Sequence, residues 1–431
     1  MTALAPSPSS DSVTADLRKV TVVSAKTPIV FGVVTVLFAL LLAAVARSGD
    51  VQFRFSSPAD AIQFPPVSLP GMTTAWICTA VLAVLTGVAV LAWRSGRTVS
   101  MWVPALFALV FLVAFLAWAG AGSDRGFPVV RLIGGSVLLA VPIVFGALGG
   151  VLGERVGVVN IAIEGQLLAG AFAAAVAASV TGSPIAGLVA AVVAGVLVAL
   201  VLGVFAITYR VNQVIVGVVL NVLVIGLTSF FYSQVLVPNA ESLNETVRFG
   251  TIAIPVLSSI PVIGPALFNQ SVLVYVMYIA VPAVWFAMFR TRWGLRLRAV
   301  GEHPKAADTV GIKVERTRYL VLLIAGGVAG IGGAFYTVVS VSSFGKEMTA
   351  GAGFIALAAV IFGKWDPLRA ALAALLFGFA SNLENVLSLV GAPVPSQFML
   401  MLPYVVTVLA VAGLVGASRA PAASGQPYVK E

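Results

Sequence analysis

Long apolar runs in this chain are interrupted by a few polar side chains, and these are the residues whose types could do chemistry. Asn160, Glu164 and Gln166 form one group, Asn382, Glu384 and Asn385 a second, and Asn221 stands alone. An amide or carboxylate inside a membrane is costly, so each is by default a candidate for a solute or ion path. Asn, Gln and Glu can hydrogen-bond to hydroxyls and to heterocycle edges. Phe354 and Tyr336 add ring faces on which a planar group could stack. Asn160 and Glu164 are four apart, so they are expected to share one helix face. Glu164 is the foremost candidate, because a buried carboxylate needs either a partner or a proton. The plainer alternative is that these groups bond helix to helix or cap a break in the chain.

A different chemistry is suggested between Trp293 and Arg318. Residues 290–318 carry eight basic side chains: Arg290, Arg292, Arg296, Arg298, Lys305, Lys313, Arg316 and Arg318. Pro304 suits the first position of a short helix and Gly311 its stop. Ala306 and Ala307 would give that helix a small, close-packing face, and Arg296, Arg298 and Lys305 could pair with acidic groups. A short helix held outside the bilayer in this way suits the docking of a soluble partner. Enzyme chemistry, by contrast, lacks its parts. The one histidine, His303, lies in the same loop, and the one cysteine, Cys78, lies in an apolar run. An internal disulfide is thereby excluded, and neither a thiol or imidazole metal cluster nor a Ser-His-Asp triad is expected. The chain has no Gly-x-x-x-x-Gly-Lys-[Ser/Thr] phosphate loop; Gly345-Lys346 and Gly363-Lys364 lack both the preceding Gly and the following hydroxyl.

The elements that must position these groups follow from composition. Of the 431 residues, 60% are hydrophobic and only 10% charged, and mean hydropathy is +1.07. A soluble domain carries about a quarter charged residues, so this is a polytopic membrane protein. Apolar segments fall at 28–46, 74–93, 102–119, 132–152, 157–178, 185–207, 213–236, 271–289, 318–341, 351–363, 369–389 and 398–416. The expectation is an all-α bundle of ten to twelve spans. Segment 351–363 is too short to cross and reads as a half-helix or re-entrant piece, unless it extends into Ser342–Ala350. The stretch 146–166 is rich in Gly and polar residues, so a break is expected there.

Residues 1–27, rich in Ser, Thr, Ala and Pro, read as a disordered cytoplasmic tail, and no cleavable signal peptide is expected. The net charge of +9 sits mostly at the ends of apolar runs, which sets topology and is no sign of nucleic-acid binding. With the N-terminus inside, the 290–318 loop is cytoplasmic, and so is the short polar tail 417–431.

Several stretches resemble one family. Lys305-Ala306-Ala307-x-x-x-Gly311 is similar to the Ala-Ala-x-x-x-Gly core of the coupling helix in bacterial ABC importer permeases, with Lys305 where Glu is usual. Gly294-Leu-Arg-Leu-Arg-Ala-Val-Gly-Glu302-His303-Pro304-Lys305-Ala306-Ala307 resembles the corresponding loop of the simple-sugar and nucleoside permeases, within the wider group that includes the branched-chain amino acid permeases. The run from Gly153 to Gln166 resembles the nucleoside branch most closely. Asn212-Gln213-Val214-Ile215 and the run from Gly353 to Pro367 agree with it. The resemblance covers roughly 130–416 and implies a division into tail 1–27, additional spans 28–130, permease core 131–416 and tail 417–431.

The resemblance implies a type II ABC importer-like permease of the bacterial cytoplasmic membrane, without enzyme activity or cofactor of its own. ATP and Mg would be bound by a partner ATPase docked on Arg296, Arg298, Glu302, Pro304, Lys305, Ala306, Ala307 and Gly311. A second permease subunit (or a second copy of this chain) and an extracytoplasmic substrate-binding lipoprotein would complete the assembly. No nucleic-acid partner is implied. Nucleosides are the implied cargo and simple sugars the alternative. An ion-coupled secondary transporter using Glu164 or Glu384 remains a separate reading.

Overall fold

The computed structural model describes residues 24–57, 62–100, 102–392, 397–398, 401 and 419–430. It divides into two units, Met1–Ala46 with Met72–Leu116, and Arg47–Gly71 with Ala117–Glu431. The expected segment 398–416, apart from residues 398 and 401, and most of the tail 1–27 lie outside the described residues.

Three helices supply the first unit: α1 (Lys26–Ala44), α2 (Gly71–Arg94) and α3 (Trp102–Ala119). Each is apolar on all sides, as a lipid-facing helix must be. Within the unit, Phe31 stacks on Phe107 with ring centroids 3.9 Å apart. Leu82 and Ala89 complete a small buried cluster with them.

The second unit opens with a sheet of β1 (Asp50–Arg54), β2 (Val67–Pro70) and β3 (Phe127–Pro128) in the order β2-β1-β3. Val51 pairs antiparallel with Leu69, and Phe53 pairs parallel with Phe127. Then come α4 (Val129–Arg155), α5 (Ile163–Thr181), α6 (Pro184–Gly203), α7 (Gln213–Phe231) and the single turn α8 (Ala240–Leu243). A two-stranded ladder, β4 (Thr251–Ala253) with β5 (Asn269–Ser271), brackets α9 (Ile263–Phe268). The rest is helical: α10 (Val272–Arg290), α11 (Arg292–Glu302), α12 (Pro304–Thr309), α13 (Val314–Phe335), α14 (Ala352–Phe362) and α15 (Pro367–Val390).

Among the described residues ten helices are long and apolar enough to cross a membrane. The bundle is therefore helical and polytopic, as composition requires. The half-helix expected at 351–363 is α14, whose 11 residues reach only about 16 Å. The break expected in 146–166 is the turn Val156–Ala162 between α4 and α5. Helices α6, α7 and α13 each end in a π turn, at Val204–Thr208, Tyr232–Leu236 and Tyr336–Ser340.

The most buried spans of this unit are α4 and α13, against which α5, α6, α14 and α15 pack. Lipid offers helices no hydrophobic reason to associate, so close backbone approach through small residues must supply the contact. Gly195 on α6 and Gly326 on α13 provide it: a Cβ added at Gly195 would sit 2.1 Å from the Gly326 carbonyl oxygen. Only backbone lies in the way, so relief requires the helices to separate. Gly195→Val is expected to cost about 3 kcal/mol or more. It should lower the thermal midpoint of the detergent-purified chain, whereas Val at the unobstructed Gly226 should not.

Candidate functional site

The turn Val156–Ala162 is closed at its start by the Gly157 and Val158 N–H groups donating to the Glu154 and Gly153 carbonyls, and long-range side chains hold the rest. Gly157 begins it at φ +92, a conformation that L side chains rarely adopt. The Val159 N–H donates to Gln213 Oε1 at 2.7 Å. Asn221 Nδ2 donates to the Ile161 carbonyl at 2.9 Å, and Asn221 Oδ1 accepts from the Gly165 N–H at 2.8 Å. Asn160 and Gln166, both fully buried, pair with each other, Asn160 Nδ2 donating to Gln166 Oε1 at 3.0 Å. Buried backbone groups must find partners, and here the amides of Gln213 and Asn221 on α7 supply them, while Asn160 and Gln166 satisfy each other.

Asn160 therefore does not share a helix face with Glu164. It lies in the turn, three residues before α5 begins at Ile163. The expected face needed a continuous helix, and the chain leaves helical geometry where Gln213 and Asn221 take over the backbone partners.

Glu164 sits in the first turn of α5 with 5% of its surface exposed. Three donors converge on its carboxylate. Thr349 Oγ1 donates to Oε1 at 2.6 Å, the Gly351 N–H to Oε1 at 3.0 Å and the Gly353 N–H to Oε2 at 2.6 Å. Gly351, at φ +82, is the N-cap residue of α14, and no side chain of its own segment caps that helix. Glu164 thus satisfies orphan N–H groups of α14 from a helix far away in sequence, and it sits where two helix N-termini favour negative charge. Gly353 makes the approach possible, since a Cβ there would lie 2.4 Å from the Glu164 nitrogen. Of the two roles open to Glu164 in the sequence, the brace of a broken chain is the one its contacts display.

A cavity of about 210 Å³ lies beside this brace, lined by Leu139, Pro142 and Ile143 of α4, Phe335, Tyr336 and Ser340 at the end of α13, Met348 to Ala350, Ala352 and Ile355 of α14, and Ser381 of α15. Its hydroxyl-bearing residues are Tyr336, Ser340, Thr349 and Ser381. The π turn that presents Tyr336 and Ser340 is tied from outside by the segment after α8. Thr246 Oγ1 donates to the Thr337 carbonyl at 2.6 Å, and the Phe249 N–H donates to the Val338 carbonyl at 2.8 Å. Such π turns leave carbonyls for other partners and recur at functional sites. Tyr336 was legible as an aromatic candidate. Ser340, Thr349 and Ser381 were not, because isolated hydroxyls carry no pattern in a sequence.

The second polar group is divided. Asn382 is buried on α15 and faces α4, its Nδ2 donating to the Leu132 carbonyl at 2.7 Å and the Arg131 carbonyl at 3.1 Å. It joins two helices and does not line the cavity. Glu384 is half-buried, Asn385 exposed, and neither lines the cavity. Phe354 is 51% exposed and is not among the lining residues.

The basic loop holds two helices where one was expected. Thr291 caps α11, its Oγ1 accepting from the Gly294 N–H at 3.1 Å. Gly294, Leu297, Val300 and Gly301 are buried along one side of α11. Its far end presses on the turn between α4 and α5: a Cβ at Gly301 would lie 2.0 Å from the Arg155 carbonyl oxygen. Pro304 occupies the first turn of α12, and Gly311 follows it at φ +84, the stop expected. The pair of alanines is split, however. Ala307 is 3% exposed and anchors the helix, while Ala306 faces outward beside Lys305, Thr309 and a 75% exposed Val310. Adjacent residues of an α-helix point about 100° apart, so the two alanines do not share one side. Arg296 is exposed, but Arg298 is turned inward over the Phe289 ring, 5.0 Å from its centroid. Glu302 Oε2 accepts from the Ala422 N–H at 3.2 Å.

The turn between α14 and α15 completes the site. Lys364 and Trp365 both adopt positive φ. The Trp365 indole N–H donates to the Glu154 carboxylate, and Arg155 Nε donates to the Trp365 carbonyl at 2.9 Å. The end of α4 therefore grips one end of α14, while Glu164 grips the other.

Known proteins match this chain over the same unit. The family described as branched-chain amino acid transport system / permease component matches residues 132–411. Guanosine ABC transporter permease protein NupQ of Bacillus subtilis is 40% identical over 308 residues, 69% of this chain and 96% of that protein. Nucleoside ABC transporter permease protein NupC of Lactococcus lactis is 36% identical over the same shares. Putative glucose ABC transporter permease protein TsgC13 of Haloferax volcanii is 34% identical over 59% of this chain and 76% of that protein. No solved structure matches.

Proposed function

Because this chain belongs to the family of branched-chain amino acid transport system permease components, we propose that it is the multi-pass subunit of an ATP-driven importer whose cargo is nucleosides. The observation that carries the choice of cargo is the 40% identity to a guanosine permease across 96% of that protein's length. The cavity beside α14 agrees in chemistry. Hydroxyls of Tyr336, Ser340, Thr349 and Ser381 suit ribose hydroxyls and base edges, and the Tyr336 ring suits stacking. At about 210 Å³ the cavity is below the roughly 300–1,000 Å³ of ordinary ligand sites, so a nucleoside enters only when α14 or α13 shifts.

The chain works with partners. An ATPase subunit carrying ATP and Mg docks on α12. A second permease subunit, homologous or identical, completes the path, and an extracytoplasmic binding lipoprotein delivers the solute. The assembly sits in a bacterial cytoplasmic membrane with the basic loop inside. Force on α12 passes through α11 to Arg155–Gly157, along the turn to Glu164, and so to the N-terminus of α14 at the cavity. Alternating access is then a rocking of α14 and its braces about the site.

Two experiments test this reading. Vesicles from cells carrying the complete importer should take up labelled guanosine with ATP, and unlabelled nucleosides should compete. Competition by glucose alone would favour the sugar reading, for which the similarity to the putative glucose permease speaks. For sidedness, a chain with Cys78→Ser and Lys305→Cys should resist an impermeant thiol reagent in intact cells and react once the membrane is opened. Labelling in intact cells would place the loop outside.

A further inference from the structure

The segment 419–430 lies against the elements assigned to coupling. Ala422 N–H donates to Glu302 Oε2 at 3.2 Å, and the Ala423 N–H donates to the Gly301 carbonyl at 2.9 Å, both at the end of α11. Arg318 Nη1, from the start of α13, donates to the Gln426 carbonyl at 3.1 Å. Lys430 Nζ approaches Asp308 of α12 at 4.0 Å. Ala423 and Tyr428 are buried, at 4% and 8% exposure, in a segment whose residues are otherwise small or polar.

The same segment also covers the turn between α4 and α5. A Cβ at Gly157 would lie 3.1 Å from the Ala423 carbonyl oxygen and 3.0 Å from Arg318 Nη2. Gly425, at φ +76, sits so that its Cβ would meet Val159 Cγ2 at 3.5 Å. One short stretch thus touches α11, α12, α13 and the turn that leads to Glu164.

We propose that Ala422–Lys430 is a strap that ties the coupling helix α12 and its neighbour α11 to the α4–α5 turn, so that they move as one body when the ATPase closes. The inference rests on the importer reading above. The Ala423 N–H bond to the Gly301 carbonyl and the Ala422 N–H bond to the Glu302 carboxylate carry the hold, since the exposed ion pair to Asp308 contributes little. The Arg318 guanidinium, 1% exposed, adds the bond from Nη1 to the Gln426 carbonyl, while Nε and Nη2 find no hydrogen-bond partner among the described residues. A strap of this kind positions residues for coupling and touches no solute. Its loss should therefore separate hydrolysis from movement.

The test uses the complete importer in proteoliposomes and three chains: wild type, one ending after Ala420, and Gly425→Val, which keeps the strap's length but strains its φ. The expected result is uptake lowered about five-fold or more in both variants, with solute-stimulated ATP hydrolysis within about two-fold of wild type, so that more ATP is spent per molecule moved. A chain with Cys78→Ser, Asp308→Cys and Lys430→Cys, joined by a short bismaleimide cross-linker to lock the strap on α12, should keep its coupling ratio. Unchanged or raised uptake by both strap variants, or loss of uptake on locking, overturns the strap's coupling role. If the truncated chain alone is unstable, Gly425→Val decides. Absence of ATP-dependent uptake by wild type would instead overturn the importer reading itself.

Discussion

Glu164→Ala should reduce uptake to background and also lower the stability of the purified chain. Three donors, from Thr349, Gly351 and Gly353, lose their acceptor at once. A buried donor left unsatisfied costs about 1–3 kcal/mol. Water entering from the adjacent cavity can replace part of this, so the expected net loss is about 3 kcal/mol, read as a lower unfolding midpoint. Glu164→Gln should be milder. Its amide oxygen keeps one side of the brace, but its NH₂ group faces a donor where an acceptor is needed. Uptake should fall about ten-fold, equivalent to about 1.4 kcal/mol, and follow the same pH profile as wild type. Wild-type uptake and stability in both variants would show that α14 does not need this brace. Loss of uptake in Glu164→Gln at unchanged stability, together with dependence on a proton gradient, would assign Glu164 to proton carriage instead.

Ala306→Glu should uncouple the chain from its ATPase without disturbing its fold. Ala306 is exposed, so the substitution costs the chain itself no more than about 0.5 kcal/mol. At the centre of a docked face it introduces bulk and an unpaired charge, and the loss of about 2 kcal/mol or more typical of a central contact residue is expected. Uptake and solute-stimulated hydrolysis should fall together, and the ATPase should no longer co-purify. Ala307→Glu provides the contrast. That side chain is 3% exposed, so a carboxylate there should impair folding and yield, not docking alone. Equal behaviour of the two variants would remove the distinction between the outward and inward alanines.

The contrast between Ala306 and Ala307 also marks what a sequence can disclose about this site. Composition and run length suffice for the helical bundle, because lipid admits only helices and closed barrels, and long apolar runs without alternation fit helices. The break after α4 was legible in the Gly and polar content of 146–166, and α14 in the shortness of 351–363. The local start signal Pro304 and stop signal Gly311 placed α12 correctly. What failed depended on distant partners. Asn160 leaves the helix because Gln213 and Asn221, more than fifty residues away, hold the turn open. Glu164 caps a helix that begins almost two hundred residues later. Arg298 turns inward to Phe289, and α11 hides a buried stripe in a loop that reads as merely basic. Short-range pattern carries none of these contacts.

The most direct test of the central claim is transport by the purified chain with and without its partners. Reconstituted with the ATPase, the companion permease subunit and the binding lipoprotein, the chain should move guanosine inward only when ATP is supplied on the side of the basic loop. Reconstituted alone, it should move none, whatever proton or sodium gradient is imposed. Guanosine accumulation by the chain alone, driven by either gradient, would contradict the account.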